Sequence, residues 1–123
     1  LTRFKEVTGR YPARVTAVGY DFKKERFEGM HRKALRIAPG AFRYRGFRPG
    51  GKFDAVAAEA GERANALEPF RADPYGCYST ALRAKRGARD PFRRTAPYPL
   101  SCPEMEGLLN WCGPLIYQGE LPW

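Results

Sequence analysis

The chain has 123 residues, is 43% hydrophobic and carries a net charge of +9. That length can bury a core of its own, and the apolar content excludes disorder along the whole chain. No run approaches the ~18 apolar residues that a membrane-spanning helix needs. The 13 glycines and 11 prolines predict a large share of loop.

In chain order, Leu1, Phe4 and Val7 fall at helical spacing and Gly9 follows as a stop, so residues 1–8 read as the end of a helix. On this basis the chain is expected to be the C-terminal part of a longer α/β protein. The run Val15-Thr16-Ala17-Val18-Gly19 is short and β-branched, which suits a parallel strand buried on both faces. Asp21 stands where its carboxylate would cap the next helix, running from about Phe22 to about Ile37. Phe27, Met30, Ala34 and Ile37 make the apolar stripe of that helix, and Pro39-Gly40 stops it.

Phe42 to Phe47 alternates aromatic and basic residues over most of its length, a strand period near a sheet edge. Asp54 is placed to cap a further helix along Val56, Ala60, Ala64 and Leu67, which Pro69 is expected to close. Alternating helices and strands with short connections predict a parallel sheet. The fold expected for residues 1–72 is therefore part of a three-layer α/β domain. Residues 73–123 read as an irregular Pro-, Arg- and aromatic-rich tail. Short helices are expected over Ser79 to Arg86 and from Pro103 to Trp111, and the apolar end folds back onto the domain.

Basic residues cluster in three stretches: six over Lys23–Arg36, four over Arg43–Lys52 and six over Arg83–Arg94. Such a field attracts anions. At the carboxyl end of the first strand, Asp21, Lys23 and Arg26 are the candidate ligand-binding residues. Ligands of open parallel sheets sit at that edge, and a helix start there presents unpaired N–H groups to an anion. A small anionic or nucleotide-like ligand is the expected partner. The rival expectation is a nucleic-acid- or protein-binding module built on residues 83–94 and the tail aromatics Tyr98, Trp111 and Trp123.

His31 borders the apolar stripe and is a further candidate, without a partner acid or nucleophile nearby in sequence. Glu59, Glu62 and Glu68 look like an exposed helix surface. Cys77, Cys102 and Cys112 are odd in number and widely spaced. They are expected to be free thiols, as in a reducing intracellular compartment, with no metal site.

Several ordered motifs together resemble fungal proteins carrying the domain of unknown function 218. They are Thr8-Gly9-Arg10-Tyr11-Pro12, Val15 to Gly19, Phe22-Lys23 with Arg26-Phe27 and His31, Arg89 to Arg93, Cys102-Pro103-Glu104 and Leu121-Pro122-Trp123. The resemblance covers nearly the whole chain. It implies a Rossmann-like fold, distantly akin to bacterial SanA-like and YdcF-like proteins. Those proteins carry a His-x-x-Arg segment at the carboxyl edge of the sheet. Arg26 matches its arginine, and Lys23 stands in place of its histidine. S-adenosylmethionine binding, suggested for a bacterial branch, makes that compound or a nucleotide the implied cofactor.

Overall fold

The computed structural model describes residues 1–93 and 97–123. Helix α1 (Thr2–Thr8) ends at Gly9, whose φ of 77° lets its N–H return to the carbonyl of Lys5 at 2.8 Å. Strand β1 (Val15–Tyr20) leads into a 3-10 turn (Asp21–Lys23), a π turn (Arg26–His31) and helix α2 (Arg32–Ala34). After a second 3-10 turn (Pro39–Ala41) comes strand β2 (Phe42–Phe47). The two strands form a two-stranded parallel sheet, in register from Val15 opposite Phe42 to Tyr20 opposite Phe47. The protein is thus a mixed α/β chain with a helical crossover between parallel neighbours.

Exposure alternates along both strands. Val15, Ala17 and Tyr44 are covered, whereas Thr16, Arg43, Arg45 and Val18, the last 72% accessible, face outward. The expectation that β1 is buried on both faces is therefore corrected. The Arg26–His31 turn packs on β2, with the rings of Phe27 and Tyr44 5.5 Å apart, while Val18 on the opposite face stays open to solvent.

The crossover helix ends earlier than Pro39-Gly40 implies. Arg36 takes a left-handed φ of 51°, and the Arg32 guanidinium donates to the carbonyls of Glu28 and Ile37. A left-handed residue turns the chain out of the helix before the proline is reached.

Helix α3 (Ala55–Glu62) is capped by Asp54, whose Oδ1 accepts the Ala57 N–H at 2.9 Å, as the sequence implies. It continues through a π turn (Arg63–Leu67) into α4 (Glu68–Ala72). Pro69 lies inside this helix and does not close it. The π turn immediately ahead widens the hydrogen-bond ladder where the proline lacks an N–H. Helix α5 (Thr80–Arg89) starts at Ser79, whose hydroxyl accepts the Leu82 N–H. Short helices α6 (Tyr98–Ser101) and α7 (Glu106–Leu109) flank a 3-10 turn at Pro103–Met105.

Cys102, Met105 and Leu108 are the buried centre of a tail core, against which Tyr11, Leu35, Tyr75, Tyr117, Leu121 and Trp123 pack. Polar links fix this return of the tail. The Trp123 indole donates to the Leu35 carbonyl at 2.9 Å, and Arg36 donates to the Gly119 carbonyl at 2.6 Å. Tyr75 donates its hydroxyl to the Ala34 carbonyl and accepts the Tyr117 N–H. Leu109, next to the buried Leu108, is 42% accessible. Among the described residues no helix is long and apolar enough to cross a membrane.

Candidate functional site

The segment leaving β1 does not use Asp21 as expected. The helical turn is preceded by Tyr20, which has no capping side chain, and Asp21 is its first helical residue. The Asp21 carboxylate faces Arg48 at 3.3 Å in a solvent-exposed pair, an arrangement worth little in water. It presses so near Gly46 that a Cβ there would lie 1.9 Å from Oδ1. Asp21 borders a different hollow from Lys23 and Arg26.

Arg26 turns inward. Its Nε donates to Glu62 of α3, its Nη1 meets His31 Nε2 at 2.8 Å, and its guanidinium lies 4.7 Å from the centre of the Phe27 ring. Both charged side chains of the Arg26–Glu62 pair are largely buried, 15% and 10% accessible. His31 sits edge-on to Phe27 and Phe70, at 5.3 and 4.7 Å. Burial, helped by the Arg26 charge and opposed by Glu62, pushes its pKa down to about 4. The ring is therefore neutral near pH 7. Since arginine can only donate, Nε2 is the acceptor. With that lone pair occupied, His31 acts as a support for Arg26.

Glu62 is the residue the sequence reading placed wrongly. On an unbroken 3.6-residue period it falls on the outer helix surface. The π turn that begins at Arg63 shifts the faces of the helix, and Glu62 is buried against Arg26.

Lys23 and Arg26 line one wall of a cleft of about 440 Å³, a size suited to a small molecule. The facing wall comes from α5, which contributes Lys85, Arg86 and Arg89. The cleft thus joins the two basic groups that the sequence offered as rival sites. Five basic side chains stand against two acidic ones, Glu62 and Asp90, with Phe70 and Leu82 among its apolar lining. Lys85 donates to the Asn65 carbonyl, and Arg86 donates to that of Tyr75 at 2.7 Å. Lys23 lies over the rings of Tyr20 and Phe22. Of the basic 83–94 stretch, Arg94 lies outside the described residues.

The start of α5 is held by Asp73, one of the most buried polar residues. Its Oδ1 accepts the Cys77 N–H at 3.0 Å, and its Oδ2 accepts those of Tyr78 and Ser79 at 2.8 Å each. The free-thiol expectation is overturned beside it. Cys77 and Cys112 form a disulfide, with Cα atoms 5.6 Å apart, and Cys102 alone is a free, buried thiol. Two of the tail aromatics, Trp111 and Trp123, are engaged within the protein. Trp123 packs on Tyr11, and Trp111 packs on Tyr117 while donating to the Leu115 carbonyl.

No protein-family model matches the chain, and no solved structure matches it. It is similar to an uncharacterised protein of Saccharomyces cerevisiae, with 34% identity over 80% of this chain. The chain spans 35% of the length of that relative.

Proposed function

We propose that the chain is part of a Rossmann-like protein of the domain-of-unknown-function-218 kind, and that it binds a small phosphate-bearing anion in the cleft between the turn after β1 and α5. The observation that carries this reading is the convergence of Lys23 and Arg26 with Lys85, Arg86 and Arg89 on one concave surface. Charged donors arranged about a partly apolar hollow make stronger, shorter hydrogen bonds to phosphate oxygens than neutral donors do. Arg26 is pre-positioned by Glu62 and His31, so little side-chain freedom is lost when an anion arrives. The parallel pairing of β1 and β2 through a helical crossover supports the Rossmann-like part of the proposal.

The test is a calorimetric and thermal-shift screen of the full chain against pyrophosphate, nucleotides, S-adenosylmethionine and sugar phosphates, run beside a Lys85→Ala/Arg89→Ala variant. A saturable rise in melting temperature that the variant loses is the expected outcome, because a ligand that binds only the folded state stabilises it by mass action. No shift with any compound, from protein shown to be folded, would refute the reading.

A nucleic-acid partner is the weaker alternative. Two of the tail aromatics that would stack on bases, Trp123 and Trp111, already pack against Tyr11 and Tyr117. A binding constant falling with salt at a slope of about −0.7 to −0.9 per phosphate contacted would favour nucleic acid over the pocket ligand.

A further inference from the structure

We propose that the Cys77–Cys112 disulfide is a redox latch that sets the anion affinity of the cleft, an inference whose functional consequence rests on the anion-binding reading. Cys77 follows Gly76, which lines the cleft, and precedes the residues that start α5. Gly76 adopts a φ of 65° and lies so near Arg86 that a Cβ there would stand 3.1 Å from Nη2. The same Arg86 donates to the Tyr75 carbonyl. The Arg86 guanidinium is thus seated on the backbone immediately before Cys77, and whatever fixes Cys77 fixes that seat.

The other half of the disulfide belongs to the tail. Cys112 is exposed and Cys77 half-buried. Beyond the sulfur bond, the Tyr78 hydroxyl donates to the Cys112 carbonyl. The disulfide and Arg86 together border a second cavity, of about 470 Å³, floored by Met105 and Leu108 of the tail core. Arg86 therefore stands between this cavity and the anion cleft. With the disulfide closed, residues 75–78 are clamped between the tail core and α5. Once it opens, the tail side of that clamp loses its covalent bond and keeps only the Tyr78–Cys112 and Tyr117–Tyr75 hydrogen bonds, while the Asp73 and Ser79 caps still hold the helix itself.

The reaction balances with a dithiol as reductant. One of its thiolates attacks the exposed Cys112 sulfur, the S–S bond breaks, and Cys77 leaves as a thiolate that takes a proton. The second thiol of the reductant then closes its own disulfide and frees Cys112. Two electrons and two protons pass to the protein, and the dithiol becomes a cyclic disulfide.

The experiment uses the full chain in its oxidised form, after dithiothreitol treatment with thiols counted, and as the Cys112→Ser variant. Calorimetric titration with pyrophosphate is paired with amide hydrogen exchange. Reduction and Cys112→Ser are expected to weaken pyrophosphate binding at least fivefold. They are also expected to speed exchange at residues 75–79 while leaving β1 unchanged. Re-oxidation restores both properties. Unchanged affinity and exchange on reduction would overturn the latch, and so would exchange rising equally in β1, which would mark general loosening. If oxidised protein binds no pyrophosphate, the anion-binding reading fails, and the exchange at residues 75–79 still decides whether the latch exists.

Discussion

Asp73 is the most demanding test of how the wall of the cleft is built. Its side chain is buried, 4% accessible, and its two oxygens take three backbone N–H groups at the start of α5. Asp73→Ala removes both acceptor oxygens, and with them three hydrogen bonds, and leaves the donors to find water or go unpaired. A hydrogen bond to a charged group contributes about 1.5 to 3 kcal/mol, so after allowance for the exposed position of Tyr78 and for non-additivity the expected loss is about 3 to 5 kcal/mol. Asp73→Asn keeps one acceptor but sets an NH2 donor against N–H donors, so it should fall between wild type and Ala.

Burial alone would push the Asp73 carboxyl up. The backbone N–H groups of Ser79, Cys77, Tyr78 and Gly76 outweigh that and hold it below the usual aspartate range. Protons therefore bind the unfolded chain more readily than the folded one. The contribution of Asp73 is complete above the ordinary aspartate pKa and disappears as the pH falls through its lower folded value. Urea denaturation at pH 7 and along an acid series would measure both effects. An Asp73→Ala loss below about 1 kcal/mol would refute the assignment of this carboxylate as the anchor of α5, since even one charged hydrogen bond exceeds that.

His31 makes a second pH prediction. Its folded pKa of about 4 lies below the ordinary 6.5, so the unfolded chain takes the proton first. Stability should be full above pH 6.5, fall by about 2 to 3 kcal/mol as the pH drops to 4, and level off below that. A His31→Asn variant whose stability follows the same slope over that interval would disprove the assignment. Gly107→Ala would place a Cβ 2.2 Å from the Tyr117 hydroxyl, on a rigid ring packed against the tail core. Such overpacking should cost about 1 to 3 kcal/mol, read as a lowered urea midpoint, and Tyr117→Phe in the same chain should recover part of the loss.

Where the determinants are local, the sequence reports them. The alternation of Phe42–Phe47 coincides with β2, and Gly9, Asp54 and Ser79 end or start helices where their chemistry suggests. Lys23 and Arg26 could be singled out because they follow a strand. Long-range features were not visible in that way. Lys85, Arg86 and Arg89 meet Lys23 and Arg26 only through the packing of α5, and no periodicity encodes that meeting. Cys77 and Cys112 are 35 residues apart and join because the tail doubles back. The misplacement of Glu62 and the misread role of Pro69 share one cause. A π turn inserts a step that a regular 3.6-residue wheel does not contain. Asp21 has the right residue type for a cap, but the chain enters the helical turn one residue early.

The tail core joins positions made far apart in time. The Cys102 sulfur lies 3.9 Å from the Thr2 carbonyl, the Ser101 hydroxyl donates to Glu6, and the Trp123 indole reaches back 88 residues to Leu35. At a synthesis rate of about 5 to 20 residues per second, Leu35 waits on the order of 4 to 18 s for the indole that covers it. Tyr11 and Leu35 likewise wait for Cys102, Met105 and Leu108, the buried residues against which they pack. Apolar surface left open in this way during synthesis promotes aggregation.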